Sequence, residues 1–304
     1  MVSVKKVAVL MGGVSSEREV SLRSGQAVVK GLEAAGYAVT PVVLEREAVE
    51  GLPAGIEAVF LALHGGYGEN GGVQADLDRL GMPYTGAGSA ASRLAMDKIA
   101  TKRRLVERGV PTPEFAVLMP NEMESPLSLP VVVKPPCDGS SMGISRVLEA
   151  AAWAPALALA RQFATDVLVE RFIPGREMTV GVLGDQVLPV VEIRAADGWY
   201  GFDAKYVSGN TVYSFPDPVA EAGLLARCQA LALATFRALN ARGLGRIDFR
   251  VTETGEPFVL ELNSLPGLTA TSLMPKAAAA AGMSFSDLCA RIMELAACDA
   301  PESK

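Results

Sequence analysis

Apolar positions over the first ninety residues follow two different periods. Unbroken runs at Val7 to Leu10, Val39 to Leu44 and Ala58 to Leu63 have the length and branched character of strands buried on both faces. A stretch of helical period from Glu17 to Ala35 is closed by Gly36, and a shorter one runs from Val73 to Leu80. Ser16 followed by Glu19 reads as a capping box opening the first of these helices. Strand and helix alternating at this spacing predict a mostly parallel sheet with helices packed on it. A single long helix is expected from Ala90 to Arg108, carrying Lys98, Lys102, Arg103 and Arg104 and stopped by Pro111 and Pro113. A domain boundary falls near Met96.

The texture then changes. Strands at Val131 to Lys134, Ile144 to Leu148 and Val167 to Phe172, with an Ala-rich helix ending near Phe163, make a small α+β unit. Beyond Arg176 the strands lengthen. Met178 to Leu183 and Gln186 to Arg194 are joined by Gly184–Asp185, a good hairpin turn, and Arg246 to Val251 pairs with Phe258 to Leu262 about Thr254–Gly255. Residues 195–218 read as one long loop, and its Trp199, Tyr200, Lys205, Tyr206 and Tyr213 suggest a functional segment. Helices follow from Val219 to Arg242 and, amphipathic, from Ser284 to Ala297.

Composition narrows the class. A chain of 304 residues, half of them hydrophobic, is too long for one ordinary core and too apolar to be disordered. A net charge of −6 offers nothing to nucleic acid or an anionic membrane. No run approaches the ~20 apolar residues of a membrane span, and the apolar run at the start is broken by Gly12–Gly13. Cys137, Cys228, Cys289 and Cys298 share no C-x-x-C spacing, so a zinc site and a disulfide framework are both unexpected. Free thiols in a reducing cytoplasm are the expectation.

Four places could carry chemistry. The loop Cys137 to Gly143 (CDGSSMG), after Lys134, is either a plain hairpin turn or a phosphate-cradling loop of small residues. It lacks the Lys of a P-loop, and Gly12–Gly13 lacks the dinucleotide fingerprint of an NAD enzyme. Asp248 on one strand, with Glu261 and Asn263 on the next, puts oxygen-bearing side chains near one another. That suits Mg²⁺, while a solvated polar strand face is the plainer alternative. His64, the sole histidine, ends a strand before GGYGENGG, either a structural residue or one facing a ligand. Glu17 sits in the first turn of a helix, where an acid is favoured by the dipole alone.

In order along the chain, GGVSSEREVSLRSG, LHGGYGENG, PYTG, MDK, VVKPPCDGSSMG, ERFIPGREMTV, DAKYVSGNTVY, GRIDF and ELNSLPGLTATSLMPKAA resemble the D-alanine–D-alanine ligases of the ATP-grasp superfamily, over essentially the whole length. The resemblance implies a Rossmann-like parallel-sheet α/β domain followed by two α+β lobes clasping ATP, with divisions at 1–96, 97–175 and 176–304. It implies ATP-dependent joining of two D-alanine molecules through an acyl phosphate, for peptidoglycan in a bacterial cytoplasm. The alternatives are a D-alanine–D-lactate ligase or another ATP-grasp carboxylate–amine ligase. A non-catalytic nucleotide-binding relative would be expected to lack Arg246 or the metal acids.

Roles carry over by motif. Glu17 would hold the ammonium of the first D-alanine and His64 would lie by its carboxylate. Ser272 would take the carboxylate of the second, beside Leu273. Arg246 and the Gly267 N–H would stabilise the tetrahedral oxyanion. Lys98, Lys134 and Lys205 would meet the ATP phosphates, with Ser140 and Ser141 in the covering loop. Glu170, Arg171, Phe172 and Ile173 would form the adenine hinge, and Glu177 would bind the ribose. Asp248, Glu261 and Asn263 would hold two Mg²⁺, or Mn²⁺, and a monovalent cation and a homodimer are in keeping with the family. Ser141, Tyr206 and Glu17 would pin the 195–218 segment shut as a lid, and Tyr206 goes with D-alanine as second substrate. Asn70 departs from the more usual Asp and removes a charge there.

Overall fold

The computed structural model describes residues 5–137, 142–195, 198–199, 201 and 210–299. Ser140, Ser141, Tyr200, Lys205 and Tyr206 lie outside the described residues. Among the described residues the strands form three sheets that follow one another along the chain.

The first sheet is parallel. β1 (Lys6–Gly12) lies between β2 (Ala38–Leu44) and β3 (Ala58–Leu61), as the alternating pattern predicts. Val7 to Leu10 are wholly buried. β3 stops at Leu61, two residues short of the predicted end, and the chain turns at Gly65 and Gly66, both at positive φ. The connection α1 (Arg18–Ala34) ends at Gly36, with φ +88°. Its expected Ser16–Glu19 capping box does not form. Glu17 is the N-cap but its side chain does not cap the helix, and Ser15 Oγ instead accepts the Glu17 N–H at 3.2 Å and donates to His64 O at 2.6 Å. The tertiary partner outcompetes the local one, and it ties the helix entry to the end of β3.

After α2 (Gly72–Arg79), the predicted long helix is two helices, α3 (Ser89–Met96) and α4 (Lys98–Glu107). Asp97 is extended between them, with ψ 100°, and its carboxylate accepts the Ala100 N–H at 3.0 Å as the N-cap of α4. Gly109, at φ +67°, follows the end of α4. The prolines beyond it do a different job: Pro111 O accepts the Val259 N–H at 2.8 Å, so the connection runs along a strand edge.

The second sheet is antiparallel, ordered β4 (Phe115–Leu118), β7 (Val167–Arg171), β5 (Val131–Lys134), β6 (Ser145–Val147), with α5 (Trp153–Ala160) packed on it. β4, four residues long, was not among the predicted strands. The third sheet runs β11 (Val212–Ser214), β10 (Val191–Arg194), β8 (Arg176–Leu183), β12 (Leu244–Val251), β13 (Pro257–Asn263). The Gly184 hairpin forms, but the strand predicted from Gln186 splits into β9 (Gln186–Val187) and β10, with Pro189 lacking an N–H between them. β11 lies inside the segment read as loop and pairs with β10.

α6 (Ala222–Ala238) covers the third sheet, ending before Asn240 at φ +52°. α7 (Leu273–Ala280) was not predicted as a helix. α8 (Phe285–Glu294) carries the capping box, Ser284 with Asp287. Its Leu288, Cys289 and Ile292 join Val7, Val9, Val28 and Leu32 of the first sheet layer, so the last helix completes the first core. Gly31 allows the approach, since a Cβ there would lie 2.8 Å from Cys289 Sγ. Burial raises the Cys289 thiol to about 12 and Cys228 to about 11, which leaves both protonated and inert.

Glu192 on β10 is buried against Arg176 (2.9 Å) and Arg194 (2.8 Å), and Arg176 also reaches Glu221 at the start of α6. Burial alone would raise its pKa, but hydrogen bonds from Arg176 and then Arg194 outweigh that and hold it at about 2. A carboxyl depressed on folding stabilises above its unfolded pKa and loses that contribution as pH falls toward the folded one. Glu192→Gln is therefore expected to cost about 1–2 kcal/mol at neutral pH, after allowing for solvent screening of the arginines. The gap to the wild type should close between about pH 4.5 and pH 2. Urea denaturation across that range checks it, and a gap independent of pH would contradict the assignment.

Candidate active site

β12 and β13 are the foundation of the site. Their register pairs Arg246 with Asn263 and Asp248 with Glu261, then shifts between Asp248 and Phe249 so that Phe249 meets Val259. The shift is a bulge that keeps Phe249 and Val259 in the core. Arg246 grips Asp248 with two bonds, Nε to Oδ1 at 2.9 Å and Nη2 to Oδ2 at 2.8 Å. Thr179 Oγ1 donates to Asp248 Oδ1 at 2.6 Å, and Asn263 Nδ2 donates to Oδ2 at 3.0 Å. Glu261 lies 3.5 Å from the ammonium of Lys98. The break at Asp97 makes that possible by starting α4 at Lys98, whose backbone N–H donates to Pro136 O at 2.9 Å.

A cavity of about 500 Å³ opens here, lined by Glu17, His64, Lys98, Arg246, Glu261, Asn263, Gly267, Ser272 and Leu273 among others. The structure thus brings together residues from the first sheet, α4, the third sheet and the α7 entry. His64 Nε2 lies within hydrogen-bond distance of Ser24 Oγ at 3.1 Å, and Nδ1 faces the Glu69 carboxylate at 3.6 Å. Glu17 Oε2 sits where a Cβ on Gly65 would come within 2.6 Å, so the glycine makes room for it. Ser272 is the N-cap of α7, yet its hydroxyl does not cap. It accepts the Thr269 N–H at 3.1 Å and meets Thr269 Oγ1 at 2.8 Å, beside the open first turn of the helix, a favourable place for a carboxylate.

Lys98 excepted, the described residues expected at the nucleotide lie apart from this cavity wall. Glu170 is buried between Lys134 Nζ at 2.7 Å and Lys102 Nζ. Glu177 pairs with Arg250 at 3.2 Å, and Arg250 also donates to Ile173 O and Gly175 O, both at 3.0 Å. Phe172 lies under the guanidiniums of Arg250 and Arg146, with Trp199 alongside at 6.1 Å. The side chain of Arg171 turns outward to Glu114, so a hinge role would fall to its backbone. Arg250, Lys102, Thr179, Ser24 and Glu69 were not singled out for function from sequence. Glu69 stood within the quoted GGYGENGG run, but strand and helix positions of the others look like ordinary polar residues until the fold assembles them. Among the described residues no three His, Cys, Asp or Glu side chains gather as a metal cluster; the oxygen donors here are two acids and an amide.

A Rossmann-like parallel sheet followed by two antiparallel ones, with lysines of α4 paired to acids on both of the latter, is the arrangement of the ATP-grasp fold. Solved D-alanine–D-alanine ligase structures from Bacillus anthracis superpose with TM-scores of 0.83 and, for the one complexed with ATP, 0.84, each at 33% identity over 96% of this chain and 97% of theirs. A D-Ala:D-Ser ligase from Enterococcus faecalis reaches 0.84 at 28% identity, over 96% and 99%. The family models described as D-ala D-ala ligase N-terminus and C-terminus match residues 6–49 and 107–294. The D-alanine–D-alanine ligases of Syntrophotalea carbinolica and Bordetella parapertussis are 46% and 45% identical over 95% and 96% of this chain and 95% of each relative. The chain belongs to the D-alanine–D-alanine ligase family.

Gly267 faces Ser272 so closely that a Cβ would lie 2.9 Å from Ser272 Oγ. Gly267→Ala should displace that hydroxyl with little effect on the core. Roughly a tenfold fall in kcat/KM is expected, since such misplacements of a positioning group are costly, against a melting temperature shifted by no more than about 2 °C. Wild-type kinetics in the folded variant would refute the placement of Ser272 at a working surface.

Proposed function

We propose that this chain joins two D-alanine molecules using ATP, releasing ADP and phosphate. The observation that carries the reading is the single cavity whose wall holds the residues for both substrates and for the bond-forming centre: Glu17 and His64, Ser272 and Leu273, and Arg246 with Gly267. A carboxylate oxygen of the first D-alanine attacks the γ-phosphorus, and the bond to ADP breaks. The amine of the second then attacks the acyl phosphate carbonyl, and phosphate leaves through a tetrahedral intermediate. Glu17 holds the first ammonium by opposite charge, and His64, fixed by Ser24 and Glu69, borders the first carboxylate. Ser272 and the open first turn of α7 receive the second carboxylate. The Arg246 guanidinium and the Gly267 N–H lower the energy of the oxyanion because they are already oriented before charge develops.

The donor set fits a hard divalent cation. Asp248 and Glu261 face one another across β12 and β13, Asn263 adds an amide oxygen, and the two acids are matched here by Arg246 and Lys98. Two Mg²⁺, or Mn²⁺, held by these residues would neutralise the phosphate oxygens. Lys134 and Lys98 supply further positive charge to the nucleotide, and Lys205, Ser140 and Ser141 belong to the same reading. Glu170 to Ile173 form the adenine side, with Glu177 at the ribose. The 195–218 segment, pinned through Tyr206, Ser141 and Glu17, keeps water from the acyl phosphate. The divisions 1–96, 97–175 and 176–304, a homodimer and a cytoplasmic role in peptidoglycan precursor synthesis complete the proposal. No helix of the described residues is long and apolar enough to cross a membrane.

Phosphate release from ATP and Mg²⁺ tests the reading, with D-alanine, L-alanine, and D-alanine mixed with D-lactate or D-serine. Release should require D-alanine, fail with L-alanine, and give D-alanyl-D-alanine as the main product in the mixtures. Absence of release with D-alanine would overturn the substrate assignment. A mixed product in excess would move the chain to a depsipeptide or D-serine specificity.

A further inference from the structure

Lys102 is among the largest wholly buried side chains of the protein, at 1% exposure, and the reaction as derived gives it nothing to do. Its ammonium pairs with Glu170 Oε2 and donates to Thr112 Oγ1 at 2.6 Å. Thr112 Oγ1 in turn donates to Val259 O on β13 at 2.8 Å. The other oxygen of Glu170 accepts Lys134 Nζ at 2.7 Å. One buried carboxylate therefore serves two ammonium groups.

Satisfying Glu170 requires a single cation, and Lys134 already stands beside it. The second leaves the buried group with a net charge of +1, which is costly unless an anion shares the site. Lys102 is four residues from Lys98, so one face of α4 delivers one lysine to Glu261 and the next to Glu170. Burial lowers the Lys102 pKa against the pull of Glu170, and burial pushes the Glu170 carboxyl up, but Lys102 first and Lys134 second outweigh that and hold it below the usual range.

We propose that Lys102 is a positioning residue for nucleotide binding: it takes up the charge of Glu170, so that Lys134, oriented by the same carboxylate, keeps its positive charge for the phosphates. The inference rests on the reading that Lys134 meets the phosphates. Without Lys102, the Glu170–Lys134 pair would be neutral and Lys134 would remain in place but electrically spent.

Calorimetric titration of the full chain with Mg·ADP, and with adenosine as the uncharged control, distinguishes the cases. Lys102→Met should weaken Mg·ADP roughly tenfold, the scale of one partly screened charge at this range, and leave adenosine unchanged. The KM for ATP should rise by the same factor with the KM for D-alanine unaltered. Lys102→Arg should stay within about twofold of the wild type, because the charge is kept. Lys102→Gln, polar beside Thr112 but uncharged, should show the same roughly tenfold loss as Lys102→Met. Unchanged Mg·ADP binding in Lys102→Met overturns the inference, as does an equal loss of adenosine, which marks a structural role. Lys102→Gln binding Mg·ADP as well as Lys102→Arg overturns it too, and that comparison decides the matter even where Lys102→Met alone does not fold. A wild-type chain that binds no Mg·ADP removes the nucleotide reading and the inference with it.

Discussion

Carboxylates seated among residues as apolar as Ile247, Phe249, Val259 and Leu262 must be compensated, because each unpaired buried charge costs several kcal/mol. Asp248 meets that demand with Arg246, Thr179 and Asn263, and Glu261 meets it with Lys98. Glu170 does so with Lys102 and Lys134. Two of these lysines, Lys98 and Lys102, come from α4, so the docking of that helix contributes to the burial of both Glu261 and Glu170. This gives the interruption at Asp97 its physical reason. A helix running on from α3 would leave no N-cap at 97, and Lys98 would not start its turn beside Pro136 O with its side chain directed at Glu261.

Pairing of this kind also shapes what the cavity can do. The groups proposed to meet substrate charge are partly buried and already oriented by one another. A bound anion or cation then exchanges one partner for another and need not strip water from a mobile side chain, which is the advantage of preorganisation in a closed site. Arg246 illustrates the exchange. It is bidentate on Asp248, and both sit on the floor where metal and oxyanion are proposed to converge, so a cation at the acids and an anion at the guanidinium would each replace what the other partner now provides.

Much of this was legible in the residues. The unbroken apolar runs gave β1 and β2, the Gly184 and Gly255 turns gave their hairpins, and the motif order gave the family. What escaped has identifiable causes. Ser15 and Ser16 are equivalent to a local capping rule, and only His64 O, far along the chain, selects Ser15. Asp97 inside a run of helical period looks like one more exposed polar residue. The bulge after Asp248 inserts Leu260, and neither strand's alternation announces it. Lys102 stands beside Arg103 and Arg104 in a stretch that reads as a solvated helix face; packing against Thr112 and Glu170 is what separates a buried ammonium from its neighbours. Four residues of β4 are too few for a periodicity to declare itself.

The loop from Ser264 to Leu268 is held from both sides, and this constrains how the sheets can move about the cavity. Leu268 N–H donates to Ser24 Oγ on α1, the same hydroxyl that meets His64, so the loop is tethered to the first sheet layer through Ser24. Leu265 packs beside Gly86, where a Cβ would lie only 2.9 Å from its side chain. Arg242 fastens the same region again, donating to Gly86 O at 2.8 Å and Ala297 O at 3.0 Å and pairing with Asp299 at 3.0 Å. The first sheet and the base of the third thus bracket Gly267 closely. The second sheet is joined to that base along a different line, through α4 and the Thr112–Val259 contact. Gly267, Ser272 and His64 line one cavity, and the same contacts hold the loop and α1 together about it.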